Sequence, residues 1–260
     1  MSRYLKVWWL LTSQSIQTFF ISRLGAVLFL FGKILRFVFF FAFLLLLFTK
    51  TKVLATYNVY QVMLFYFTFN FIDSTTQMLF REVYRFRYYI VSGNFDMILV
   101  KPVNALFRSL FGWTDILDFI TLGPFILMII YVLSKIPGIT FLGVISYILL
   151  VINSLVIATS FHILVLALAV LTTEIDHAVM IYRDIVGMGK IPIDVYTEPL
   201  RWLITFVLPV GIMMSFPVKA LLGILQTPLI YLTFFISFSF LTISVSFWNY
   251  ALKKYTSASS

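Results

Sequence analysis

Between Leu24 and Phe48 nearly every residue is apolar, and the run closes on FVFFFAFLLLLF. A helix needs about 20 predominantly apolar residues to cross the hydrocarbon of a bilayer. Similar stretches recur at about Thr56–Phe80, Trp113–Leu133, Ile139–Leu171 and Leu229–Ala251. The stretches are continuous and do not alternate with a period of two, which argues against an outer-membrane barrel. Hydrophobic residues make up 62% of the 260 and charged ones 11%, too little polar surface for a soluble domain of this size. The expected class is an all-α integral membrane protein, with length for roughly six spans.

Residues 3–22 predict an amphipathic helix lying in the membrane interface. Tyr4, Leu5, Trp8, Trp9, Ile16, Phe19 and Phe20 share one broad face, with Arg3, Lys6, Ser13 and Gln17 roughly opposite. Lys33 and Arg36 fall in the first half of the first span, where they could snorkel to nearby headgroups. Arg3, Lys6, Arg23, Arg81, Arg85, Arg87, Lys101, Arg108, Lys253 and Lys254 fall on one side of the membrane, and Lys50, Lys52 and Lys135 on the other. This asymmetry predicts cytoplasmic termini, a cytoplasmic 81–112 segment and an even number of crossings. The net charge of +9 suits that topology and an anionic lipid surface. No basic run or polar domain offers a nucleic-acid site.

Residues 172–224 leave two topologies open. Hydropathy makes 172–198 a cytoplasmic loop followed by a span at about 200–216. The alternative splits the long apolar segment, carries 168–188 across as a polar span and leaves 190–224 as a re-entrant outer region. Pro192, Pro199, Pro209 and Pro217 break helices at short intervals in that block.

Catalytic signals are weak. With no cysteine, disulfides and thiolate metal sites are excluded. The stretch GMGKIP, 187–192, lacks the glycine spacing and the Ser or Thr of a phosphate-binding loop, so any ATP-driven work needs a separate subunit. His162 and His177 lack further ligands at regular spacing, and no metal site is expected. Asn70, Asp73, Thr76 and Gln77 recur at helical spacing on the second span and could line a substrate path. Asp115 and Asp118 open the third span, where a structural role is favoured.

One short segment of mixed polarity stands between two very apolar stretches: SGNFDMILVKPVNALFRSL, 92–110. Ser92, Gly93 and Asn94 predict a turn, Phe95–Val100 a short helix, and Lys101-Pro102 its end. Apolar residues on a short rigid cytoplasmic element point to a partner.

GNFDMILVKPVNAL resembles the cytoplasmic glycine–aspartate–leucine–basic–proline segment of ABC-2 transporter permeases. A second block, GKIPIDVYTEPLRWLITFVLPVGIMMSFPVKALLG at 189–223, resembles one found in a bacterial subgroup of these permeases, with Ile191 replacing the tyrosine expected before Pro192. The resemblance implies an exporter-type fold of six transmembrane helices with an N-terminal interface helix, in the bacterial cytoplasmic membrane. It implies a second permease, the same chain or a different one, and ATP-binding cassette subunits that carry ATP and magnesium. The coupling element would be about 93–102. Phe95, Asp96, Ile98 and Leu99 would dock on the ATPase, Gly93 would precede the element and Lys101-Pro102 would end it. The resemblance also favours an outer re-entrant 190–224. Other readings are a membrane scaffold without transport, or an ion-coupled secondary transporter using Asp73 and the acidic residues of 174–184.

Overall fold

The structure, a computed structural model, describes residues 3–21, 23–172 and 175–256. Glu174, the Ser-rich end and the side chains of Phe19, Phe20 and Arg23 lie outside what it describes. Helices dominate and no strand forms among the described residues. In chain order they are α1 (Arg3–Ile21), α2 (Arg23–Lys50), α3 (Val59–Phe80), α4 (Phe86–Val91), α5 (Asn94–Leu99), α6 (Ala105–Phe111), α7 (Ile116–Leu133), α8 (Phe141–Thr172) and α9 (Ile175–Gly187). Then come α10 (Leu200–Trp202), α11 (Val210–Met214), α12 (Phe216–Leu221) and α13 (Thr227–Lys254).

Among the described residues four helices, α2, α7, α8 and α13, are long and apolar enough to cross a membrane. The chain is a multi-pass membrane protein. The other two expected crossings fall short for separate reasons. α3 carries the polar stripe from Asn70 to Gln77, and α9 has only 13 residues.

The bundle has two ends. At the end called upper here, the 51–58 connection, the 134–140 turn and α12 meet in one apolar cluster through Tyr57, Val132, Ile136, Val218 and Leu221. At the lower end, 81–111, the start of α9 and the end of α13 share a second cluster through Phe86, Phe95, Ile98, Ile175 and Trp248. Local signals fix where the helices begin. The Asn58 side chain accepts from the Gln61 amide and the Gln61 side chain accepts from the Asn58 amide, each at 3.0 Å, a reciprocal cap at the upper end of α3. The Asp115 carboxylate accepts from the amides of Leu117 and Asp118 at the lower end of α7.

Neither topology read from the sequence for 172–224 survives unchanged. The long apolar segment is not split: α8 runs unbroken for 32 residues. Residues 200–216 are not one span either. Three residues of α10 run straight into a π turn at Leu203–Val207, and a break at Pro209 separates that turn from the five-residue α11. Pro209 precedes α11 and Pro217 sits in the first turn of α12, where a missing amide costs nothing.

Candidate functional site

The lower end is organised around α5. Gly93 takes φ +71°, a left-handed conformation that a residue with a Cβ rarely adopts, and this turns the chain from α4 into α5. Phe95 and Ile98, three apart on one face, point into the bundle. The Phe95 ring stands edge-on to Phe86 and Tyr255, with centroids 5.1 Å away in each case. Burying such a side chain stabilises the fold by about 1.5–3 kcal/mol. The sequence reading placed Phe95 and Ile98 on a docking surface; the structure instead makes them anchors. Met97, Val100 and Leu99 face outward, joined by Tyr88 and Val91 of α4. Lys101 and Pro102 are exposed at the end of the element, and Asp96 is half-buried.

α1 is bound to the same region. The Arg3 guanidinium donates to the Pro102 carbonyl. The Tyr4 ring meets Phe107 edge-on with centroids 4.9 Å apart. The hydroxyls of Thr12 and Thr114 are 2.8 Å apart, and Ser15 donates to the Thr114 carbonyl. The buried side of α1 is therefore its small polar face, while Leu5, Trp9 and Leu10 point away from the bundle. That inversion suits a helix whose apolar side meets lipid.

A polar lock sits above α5. Glu82 is buried and accepts from Arg108 at 2.5 Å and from the Tyr89 hydroxyl at 2.9 Å. Burial, and then the Glu82 carboxylate, push the Tyr89 phenol above its ordinary value. Gly112 packs directly over this pair: a Cβ there would fall 2.5 Å from Glu82 Oε1 and overlap the Arg108 side chain.

Higher in the bundle a vestibule of about 910 Å³ opens between α1 and α2 on one side and α3, α7 and α9 on the other. Its wall includes Lys33, Arg36, Arg81, Arg85, Arg183 and Asp115. Of the four polar residues that the sequence set on a path, Asn70, Asp73 and Gln77 lie on this wall or on that of the smaller cavities beside it, whereas Thr76 is buried and donates to the Ile72 carbonyl. Gln77 donates to the Asp73 carboxylate at 2.7 Å. Asp73 is not served by Arg81 or Arg85. Arg81 pairs with Asp115 at 3.3 Å, and Arg85 lies over the Trp113 ring, 4.0 Å from its centroid. Lys33 does not snorkel: it pairs with the fully buried Asp118. Arg36 and Arg183 were not singled out from the sequence for this wall. The available signal was a cation half-way along a 28-residue apolar helix, which is costly unless it faces protein or water.

His162 is not placed for metal binding. It is buried in α8 with Nδ1 2.7 Å from the Ala158 carbonyl, and its ring packs edge-on against Tyr182. The two described acidic residues of 174–184 lie apart: Asp176 pairs with Arg87 at 2.9 Å near the surface, and Asp184 faces a cavity with Asp73.

At the upper end the block after α9 folds back into the bundle. Asp194 accepts from Tyr57 at 3.0 Å and from Lys219 at 2.8 Å. The Ser154 hydroxyl donates to the Met213 carbonyl at 2.6 Å, although Ser154 lies 13 residues into α8. At 1.5 Å per residue, α11 thus reaches roughly 20 Å below the upper end of α8. Within this block the Met213 carbonyl and the Ile193 amide find side-chain partners in Ser154 and Ser215. Pro192, Pro209 and Pro217 are buried in this packing and Pro199 is exposed.

The match to a family model fits this architecture. Residues 33–259 match the model described as ABC-2 family transporter protein. The chain belongs to the ABC-2 transporter family. The match runs from within α2 through α13 and beyond, so it takes in α5, most of the cavity walls and the folded-back block. No curated protein and no solved structure matches the chain. ABC-2 membership makes this chain an apolar, multi-helix transporter component, and such membrane components are typically not enzymes themselves.

Proposed function

We infer that this chain is the permease subunit of an ATP-binding cassette exporter for hydrophobic or amphipathic substrates. It works in the bacterial cytoplasmic membrane beside a second permease, the same chain or a different one. ATP and magnesium are held by separate cassette subunits at the lower end. α3 and α9 complete a six-crossing path with α2, α7, α8 and α13, their polar residues facing protein and cavities. Both termini are cytoplasmic, since most connection cations gather at the lower end. The 190–224 block is then the outer re-entrant region, and α1 is the interface helix.

The observation that supports this reading most is the pairing of an exposed apolar patch, spread over α4, α5 and the residue after it, with buried anchors on α5. Tyr88, Val91, Met97, Val100 and Leu99 offer a surface for a partner at the lower end. Phe95 and Ile98, on the opposite face of α5, join that surface to α13 and the core. A displacement of α5 by the ATPase would pass through Phe95 to α13. It would pass through the 102–114 segment to α1, which borders the vestibule. The energy comes from ATP bound elsewhere, and this chain converts movement into access.

Co-purification of the full chain from membranes tests the assignment. Cassette ATPase subunits are expected to travel with the wild type and to be lost from Val100→Asp and Met97→Asp, with the permease itself still monodisperse. Retention of full ATP turnover and transport by those variants would place docking elsewhere. A wild-type chain that never carries an ATPase, or that transports on a proton gradient alone, would overturn the exporter reading.

A further inference from the structure

Arg36 is the side chain common to the vestibule and the smaller cavities beside it. It lines the 910 Å³ vestibule and the cavities of about 350, 330 and 380 Å³. Arg183 reaches the vestibule and one of these cavities from α9. The other cations of the vestibule have carboxylate partners: Lys33 has Asp118, Arg81 has Asp115 and Arg85 has Glu82 at 3.8 Å. Among the described residues neither Arg36 nor Arg183 has a carboxylate within ion-pairing distance. The carboxylates facing the cavities are Asp73, Asp115, Asp118 and Asp184, four against the six basic groups Lys33, Arg36, Arg81, Arg85, Arg183 and Lys190. Positive charge is in excess at the depth where it is most costly to leave unanswered.

An apolar pocket opens from the same wall. The cavity of about 380 Å³ shares Lys33, Arg36 and Gln77 with the vestibule, and Leu30, Ile34, Phe125 and Met128 line it together with Asp73 and the Asp118 that Lys33 neutralises. A site with a few convergent charged groups at one end and aliphatic and aromatic walls at the other fits a molecule of the same division.

We propose that this vestibule binds an amphiphile with an anionic head group, phosphate or carboxylate. The head lies between Arg36 and Arg183, and the chain enters the pocket of Leu30, Ile34, Phe125 and Met128. Planar guanidinium groups bind such oxyanions through paired N–H donors. Asp73 lies on the same wall, beside the head-group position. The proposal rests on the permease reading and narrows its substrate class. A bilayer lipid and a transported amphiphile share this chemistry.

Native mass spectrometry of the full chain in neutral maltoside detergent tests it, with phosphatidylglycerol, phosphatidylcholine, dodecyl phosphate or dodecylphosphocholine added. The anionic member of each pair is expected to be retained preferentially. Arg36→Gln with Arg183→Gln should reduce that retention by about tenfold, the scale of losing charge-assisted hydrogen bonds. The double lysine variant should restore much of it, and Arg201→Gln, outside the cavities, should change nothing. Displacement of phosphatidylglycerol by dodecyl phosphate marks a site for a free amphiphile; retention of phosphatidylglycerol alone marks a lipid headgroup site. Equal retention of the zwitterionic partners, or unchanged retention by the glutamine variant, overturns the proposal. Should that variant not fold, the wild type decides: dodecyl phosphate with a diazirine on its chain must cross-link within 30–37 or 118–128, and labelling confined elsewhere overturns the site. None of these measurements needs an ATPase, so their failure removes the site and leaves the permease assignment to co-purification.

Discussion

The Phe95 ring stands edge-on to that of Trp248, centroids 6.3 Å apart, and this contact joins α5 to the last helix of the bundle. Phe95 is 0% exposed and Val100, five residues on, is 78% exposed. The two ends of one short element therefore serve opposite purposes. Phe95→Ala should destabilise the chain by about 3–5 kcal/mol through the cavity it leaves. Val100→Asp should cost within about 0.5 kcal/mol, as a surface change does. Thermal unfolding of the detergent-solubilised chain separates them. Equal midpoints would show that Phe95 is not an anchor.

Gly112 predicts a second, sharper effect. A methyl group there must displace the Arg108 side chain from Glu82, which is 1% exposed. Separating a buried carboxylate from its cation costs about 3–5 kcal/mol. Gly112→Ala should approach the loss seen with Arg108→Ala, and the two changes together should be less than additive because they break one interaction. A double-mutant cycle in unfolding free energy measures this. Full additivity would mean that the pair survives the methyl group.

Tyr89 gives the same lock a pH dependence. Its phenol is raised by burial and by Glu82, so folding favours the neutral form. The resulting stability is fully present below the ordinary phenol value of about 10 and is lost as pH rises through the folded value. Thermal midpoints of the wild type should fall above pH 10, and Tyr89→Phe should flatten that fall. An identical slope in both proteins would remove Tyr89 from the linkage.

What the sequence made legible follows from what a pattern can encode. The apolar runs located α2, α7, α8 and α13 because lipid imposes length and composition directly. Gly93 and Lys101-Pro102 bounded α5 because glycine admits the left-handed turn into it and proline turns the residue before it away from helix. The inward turn of Phe95 was not legible, since six residues make fewer than two turns and their apolar residues occur on both faces. Lys33 read as a snorkelling residue because its partner, Asp118, lies 85 positions away and only the packing of α2 near α7 brings them together. The wall of Asn70, Asp73 and Gln77 was visible as a stripe; the arginines opposite came from α2 and α9, which no local spacing connects. The continuity of α8 was obscured because an apolar run can be read as one helix or two.

The side of the membrane reached by 190–224 can be read chemically at Thr197. This residue is exposed, in the connection between the turn at Ile193–Val195 and α10. The turn is fixed to the upper end by Asp194, which binds Tyr57 of the 51–58 connection and Lys219 of α12. Thr197 therefore shares the end that holds Lys50 and Lys52, opposite the basic 81–111 region. If most basic connections face the cytoplasm, Thr197 faces out. The chain has no cysteine, so Thr197→Cys creates a single reactive thiol. An impermeant maleimide is expected to label it in intact spheroplasts and to leave Val100→Cys, at the other end, unlabelled until the inner face is exposed. Asp194→Ala should increase labelling at Thr197, because it frees the turn from both partners. The reverse pattern, Val100 labelled from outside and Thr197 only from within, would invert the orientation and move the folded-back block to the cytoplasmic side.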